Sequence, residues 1–278
     1  MWKLLKSEFI KARSLRSIRL LCIFGILIFV ALALVSVQNL LNAKSLSDIN
    51  TYQDVARYHR DTVQVLWSSV NGAIPIMFQI IVGILAVLLV TNEYVSGTIK
   101  SSLMATPRRF KLFVAKLIFT LALIATLTFV LQILAFVIVW CFQSGRITEV
   151  GLWASLTQDF ATNCLAPVLA VTLSSAIWFG FAWIIRNSTG AILLGISMVL
   201  ILTALINMVF GWEHGPEINN WMPQGFFDQV FDPSSSSVCS ITKKEEPCSD
   251  FLRGVIGLGS YTILTLAVSA LIFQKRDA

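Results

Sequence analysis

The chain has 278 residues, 56% of them hydrophobic and only 13% charged, with a mean hydropathy of +0.77 and a formal net charge of +6. Soluble domains carry about 25% charged residues, so this balance excludes an ordinary globular enzyme and implies an all-α polytopic membrane protein. The basic excess would suit a nucleic-acid partner if read alone, but its placement along the chain accounts for it otherwise.

Residues 2–17 read WKLLKSEFIKARSLRS. Trp2, Leu5 and Phe9, flanked by Leu4 and Ala12, fall on one side at helical spacing, and Lys3, Lys6, Ser7, Lys11 and Arg13 cover much of the rest. The pattern predicts a short amphipathic helix lying along a membrane surface; a solvated basic flank that only sets topology is the alternative. Six apolar runs follow, at 20–38, 72–91, 112–142, 163–185, 189–210 and 253–273, and crossing about 30 Å of hydrocarbon takes roughly 20 residues. The third, of 31 residues, would be about 46 Å long at 1.5 Å per residue, so it must tilt or project. Ala31-Leu32-Ala33 resembles a signal-peptide cleavage site. The basic flank before it is long and patterned, however, and cleavage would leave five spans and break the charge asymmetry, so the run is read as a retained span.

The polar segment 39–71 carries Tyr52, Val55, Ala56 and His59, then Val63, Leu66 and Trp67, at helical spacing, which predicts an outer helix rising into the second span. His59 is read as a surface residue. Pro75 opens the second span, where first-turn amides have no partner anyway, and Pro167 would kink or pre-shape the fourth. Only residues 186–188 separate the fourth and fifth runs, a tight helical hairpin. Gly83, Gly180, Gly190 and Gly195 offer points of close approach, and Gly254, Gly257 and Gly259 indicate either tight packing or a broken, re-entrant start to the last span.

The loop 211–252 begins with Trp212, Trp221, Met222, Phe226, Phe227 and Phe231 among acids, so it is expected to return to the membrane interface. Its second half is hydrophilic. Cys239 and Cys248 lie there and are expected to form an extracytoplasmic disulfide, whereas Cys22, Cys141 and Cys164 read as small buried hydrophobes. No Cys or His falls at metal-ligand spacing from them, so no metal site is expected.

Charge sets the orientation. Residues 1–19, 92–116, Arg186 and the last four residues hold 14 basic side chains against Glu8, Glu93 and Asp277, while the other side holds seven basic and 12 acidic. The positive-inside rule places both termini in the cytoplasm of a protein that spans the cell membrane several times.

The mid-membrane polar residues are neutral: Gln79, Thr126, Thr128, Gln132, Thr172, Ser174, Ser175, Ser197, Thr203, Asn207 and Thr265, with no ionisable group expected inside a span. This disfavours a proton-driven carrier and an intramembrane protease, since no acid–base set is present. Helix–helix hydrogen bonding accounts for most of the polar set. Gln79 and Gln132 are better candidates to line a passage, because a glutamine in hydrocarbon needs a partner or water. No phosphate-binding GxxxxGK[ST] run occurs, so any nucleotide that drives the protein binds another chain.

That chain would need a surface, and residues 93–111, EYVSGTIKSSLMATPRRFK, supply a candidate. Residues 93–104 are predicted to form three helical turns with Tyr94, Ile99 and Leu103 as apolar anchors. Gly97 is a weak point that allows close approach. Pro107 ends the helix, and Arg108, Arg109 and Lys111 meet the headgroups. A basic loop that only obeys positive-inside explains the charges, but not the length or the order of Glu, Gly and Pro.

These residues resemble the membrane subunits of type-2 ABC transporters, a family of small six-span bacterial permeases. The resemblance rests on LKSEFIKARSLRSIR before the first span, on EYVSGTIKSSLMATPRRFKLFVAK, and on LIFQKRD at the end. It implies a permease fold with a single transmembrane domain over 1–278, paired with itself or a related permease and bound to two cytoplasmic ATPase subunits. ATP and magnesium would sit on those ATPases, and this chain would bind no cofactor and be no enzyme by itself. The resemblance makes 2–17 an interfacial connecting helix and 93–106 the coupling helix, and it makes part of 211–252 short re-entrant helices. Glu93, Gly97, Thr98, Pro107, Arg109 and Lys116 occupy matching family positions. The activity so implied is export of a hydrophobic or amphiphilic compound (a drug, an antimicrobial peptide or a lipid-like molecule), with Phe78, Gln79, Gln132, Thr203, Asn207, Phe226 and Phe227 as candidate lining. A scaffold that recruits a cytoplasmic partner and an intramembrane enzyme are the alternatives.

Overall fold

A computed structural model describes residues 2–43, 75–99, 104, 109–143, 165–231 and 250–275, and every regular element among them is helical. In chain order these are α1 (Trp2–Ser14), α2 (Arg16–Ala43), α3 (Pro75–Val95), α4 (Arg109–Gln143), α5 (Ala166–Ile185), α6 (Ser188–Ile196), a π-helical turn (Ser197–Ile201), α7 (Leu202–Asn219), α8 (Pro223–Phe231) and α9 (Asp250–Lys275). Five segments among the described residues are long and apolar enough to cross a membrane: Ile76–Val95, Arg109–Leu134, Ala166–Ile185, Ser188–Phe210 and Phe251–Lys275. The bent pair Lys6–Ala12 and Arg16–Ala31, which meet at 75°, supplies a sixth if taken as one span. The protein is thus an all-α, multi-spanning membrane bundle. The outer helix expected over 52–67, His59, Leu103, Pro107, Arg108, Cys164, Cys239 and Cys248 lie outside the described residues.

α5 is the centre of the bundle and packs against α3, α4, α6, α8 and α9. Its sequence, APVLAVTLSSAIWFGFAWII, is apolar all round, which suits a helix enclosed by others. Pro167 sits in the first turn, where it displaces no backbone hydrogen bond, so it starts the helix rather than kinking it. At the other end Arg186 adopts a left-handed conformation (φ 58°) and its N–H donates to the Ala182 carbonyl. Asn187 then caps α6, its side chain accepting from the Thr189 N–H at 3.0 Å. Two residues therefore reverse the chain.

Glycines let large rings approach backbones. The indole of Trp178 lies between Gly83 of α3 and Gly195 of α6; a Cβ on either would stand 2.3 or 2.4 Å from it. The π turn begins two residues after Gly195. Phe226 of α8 lies on Gly257 of α9 in the same way, at 2.6 Å from a would-be Cβ. Gly254 and Gly257 therefore serve packing, whereas nothing described stands within 4 Å of a Gly259 Cβ; α9 is unbroken from Asp250 to Lys275.

α7 is helical throughout but not straight. The Asn219 amide donates to Asn207 Oδ1 at 2.7 Å, and a Cβ on Gly215 would lie 3.1 Å from the Asn207 Cα. Twelve residues of straight helix would put these asparagines about 18 Å apart, so the chain doubles back between 207 and 215. α8 then lies against α5 and α9 with nearly all of its residues buried.

Candidate functional site

The end of the bundle that carries α1, the 186–187 turn, residues 95–99 and the start of α4 is the basic one. Here α3 runs to Val95, so Glu93 and Tyr94 belong to the last turn of a span, not to a separate three-turn helix. The helix stops because Gly97 is left-handed (φ 68°), with the Ser96 N–H donating to the Asn92 carbonyl and the Gly97 N–H to the Tyr94 carbonyl. Among the described residues, apart from its chain neighbours, nothing comes within 4 Å of where a Gly97 Cβ would be. Within the chain, glycine is therefore required at 97 for its backbone conformation. Helix resumes at Thr98–Ile99.

This break sorts the candidate residues. Ile99 is buried in the core, Glu93 is 7% exposed and Tyr94 is half-buried, whereas Val95 (78%), Ser96, Gly97, Thr98 and Met104 (79%) face outward. Arg109 opens α4 and is partly exposed. The outward face is thus a short, mixed strip, while Tyr94 and Ile99, two of the expected anchors, hold the segment to its own bundle.

Glu93 anchors through charge. Lys116 of α4, only 3% exposed, places its ammonium 2.7 Å from Glu93 Oε1 and 2.9 Å from Glu8 Oε2 of α1. Lys11 reaches Glu93 Oε1 at 3.1 Å and Glu8 Oε1 at 3.3 Å. Four charges from three helices alternate in a closed box. Burial pulls Lys11 toward the neutral form, but Glu93 and Glu8 outweigh it and hold the ammonium above the usual lysine range. The expectation that no span contains an ionisable group is corrected by Lys116: it is tolerated inside α4 because two carboxylates meet it there. In α1 Glu8 and Ala12 turn into the bundle, while Phe9 (54%) and Ile10 (59%) face outward.

Tyr94 connects a third way. Its ring meets Trp183 edge-on at 5.7 Å, and the Arg186 guanidinium lies 5.5 Å from its centroid. Trp183 is wholly buried and touches Phe273 at 4.3 Å and Phe113 at 5.4 Å, so the aromatic group joins α3, α4, α5 and α9. Each such pair is worth about 0.5–1.5 kcal/mol beyond burial.

The candidate lining residues are not brought together on one open wall. Phe78 is buried edge-on to Phe29 at 6.0 Å. Gln79, 5% exposed, donates to Ser174 Oγ at 2.8 Å while its Oε1 has no partner; Gln132, 3% exposed, also has an unpartnered Oε1. Thr203 donates back to the Val199 carbonyl within the π turn, and Asn207 is held by Asn219. Phe226 and Phe227 are core residues at the opposite end, at 5% and 0% exposure. Among the described residues no group of three potential metal ligands occurs.

The roles of Glu8 and Lys11 were not legible from the pattern. The signal available was the spacing of Glu8 and Lys11 on one helix with an isolated lysine inside the third apolar run. A family model described as "ABC-2 family transporter protein" matches residues 4–204, which include most of α1, the box, the Gly97 break and the α5–α6 hairpin. No curated protein matches the chain.

Proposed function

The chain belongs to the ABC-2 family of transporter proteins, and on that premise we propose that it is the permease subunit of an ATP-driven exporter of an amphiphilic compound. As a member of that family it is a membrane permease and not itself catalytic. In the proposed complex two copies, or this chain and a related permease, sit on two ATPase subunits that hold ATP and magnesium. The basic end faces the cytoplasm, following the positive-inside distribution of charge.

The observation that carries the reading is the outward strip Val95–Thr98 with Met104, fastened to the bundle immediately behind its exposed residues. An ATPase seated on this strip would push on the left-handed turn at Gly97. Glu93 passes the displacement to α1 and α4 through Lys11 and Lys116, and Tyr94 passes it to the α5–α6 hairpin through Trp183 and Arg186. The π turn after Gly195 is a place where such a push could be taken up, since these turns occur mostly as single local irregularities at functional sites.

The test is copurification with the partner ATPase followed by substrate-stimulated ATP hydrolysis. Val95→Asp and Met104→Asp alter exposed residues, so both proteins are expected to fold and to lose ATPase binding or stimulation. Unchanged assembly and unchanged stimulation in both would refute the coupling assignment.

A further inference from the structure

The aromatic group behind Tyr94 does not end at the basic face. Trp183 closes edge-on against Phe273, two residues before the end of α9, with ring centres 4.3 Å apart. Both rings are buried, and Phe113 and Phe179 fill the space around Trp183 at 5.4 and 6.1 Å. Rings packed this closely transmit a displacement, because none has room to move by itself.

α9 carries the contact to the other end of the bundle. It is unbroken from Asp250 to Lys275, so Gly257 stands about 24 Å from Phe273 at 1.5 Å per residue. There the Phe226 ring of α8 lies on Gly257, and a Cβ on Gly254 would stand 3.2 Å from the Phe226 carbonyl oxygen. Between the two ends α9 is locked to α5. The Thr262 hydroxyl is shared between the Leu258 and Leu173 carbonyls at 2.8 and 3.1 Å, and a Cβ on Gly180 would lie 3.3 Å from the Thr265 carbonyl oxygen. The other side of α9 is open: Ile256, Ile263, Leu264 and Leu271 are each more than half exposed. The joint between α7 and α8 is slighter. It is held by turn hydrogen bonds from the Trp221 N–H to the Ile218 carbonyl and from the Met222 N–H to the Asn219 carbonyl, and by the Gln229 amide on the Asn220 carbonyl at 3.2 Å.

We propose that Trp183 is a positioning residue that links the ATPase-facing strip to α8 at the far end of the bundle, with α5 and α9 moving as one lever. The proposal rests on the reading of this chain as an ATP-driven permease. Displacement of Tyr94 drives Trp183 against Phe273, and the α5–α9 pair tilts toward its open side and takes α8 with it. Coupling between distant sites runs through packed side chains and rigid elements of this kind. The strain falls on the α7–α8 joint, whose hydrogen bonds open.

The test uses the full chain with its partner ATPase in lipid nanodiscs and follows amide hydrogen exchange of residues 219–226, without nucleotide and with magnesium-ATP plus vanadate. Trapping is expected to speed exchange there at least about fivefold, the lower end of ordinary coupling between sites, since exchange reports local opening. Trp183→Leu and, independently, Phe273→Leu are expected to remove the difference between the two states while the ATPase still copurifies. Trp183→Phe keeps a ring against Phe273 and is expected to retain part of it. Phe29→Leu opens a gap at the buried α2–α3 contact, outside the relay, and is expected to leave the difference unchanged. Each variant is compared with itself in two states, so a uniform loosening cancels; if Trp183→Leu does not assemble, Phe273→Leu decides. A wild-type complex that holds its ATPase but shows no nucleotide-dependent change at 219–226 would overturn the lever and leave the permease reading standing. A full response in Phe273→Leu, or its loss in Phe29→Leu, would overturn it as well. Failure of the wild type to hold an ATPase would instead sink the permease reading, and the lever with it.

Discussion

Lys116→Met removes the ammonium that joins Glu8 to Glu93 while keeping a side chain of similar length and apolar character. Two carboxylates at 6% and 7% exposure then share Lys11, whose distances to them are the longer ones, 3.3 and 3.1 Å. Breaking a buried pair by removing one partner costs about 3–5 kcal/mol, because a buried charge is left without compensation. Glu8→Gln in the same chain restores parity, with one anion, Glu93, facing one cation, Lys11. Close partners of this kind couple by about 0.5–3 kcal/mol, so the double variant is expected to be more stable than Lys116→Met alone. Stability is read as thermal unfolding of the detergent-solubilised permease, and the seating of α1 as protection of an introduced Ala12→Cys from a thiol reagent, Ala12 being 7% exposed. Lys116→Met is expected to expose that position and the double variant to cover it again. A Lys116→Met protein with native stability and protection would refute the reasoning, as would a double variant worse than the sum of its parts.

Gly97→Ala, which must place a Cβ on a left-handed residue, is expected to cost about 1–2 kcal/mol. Because no described residue beyond its chain neighbours stands within 4 Å of the Cβ position, Gly97→Leu should be no worse than Gly97→Ala, and Gly97→Asn milder than both; ATPase copurification and thermal unfolding check this ordering. Gly195→Ala forces a methyl to 2.4 Å from the Trp178 ring, an overpacking expected to cost about 1–3 kcal/mol, and Trp178→Phe should recover part of it in a thermal melt. The Lys11 ammonium has its pKa raised above 10.5 in the folded chain, so its contribution is fully present below about pH 10.5 and is lost as pH rises through the folded value. Protection of position 12 should therefore fall only in that alkaline range, and Lys11→Met should remove the pH dependence.

The helices were legible because hydrocarbon length and hairpin chemistry are local. Apolar runs near 20 residues announced the spans, and the short 186–188 link announced the α5–α6 turn, which Arg186 and Asn187 make by backbone conformation and capping. The segment after the second span was visible as an unusual Glu-Gly-Pro order, but its division was not. Nothing in EYVSGTI says that the span runs through Val95 or that Ile99 faces home. Those depend on what α4 and α5 present to the segment. Phe226 and Phe227 read as interface aromatics, yet they are core because Gly257 and Gly254 of α9 leave room for α8.

Composition and charge order by themselves determined that this chain is a membrane bundle and which end is basic. They also singled out residues 93–111, since the cost of burying polar backbone and the pull of anionic headgroups act on any sequence of this kind. Only the tertiary structure decided that Glu93 is a fastening and not a contact surface. An ion pair between residues 8, 11, 93 and 116 exists only once three helices converge, and no spacing along the chain encodes that meeting.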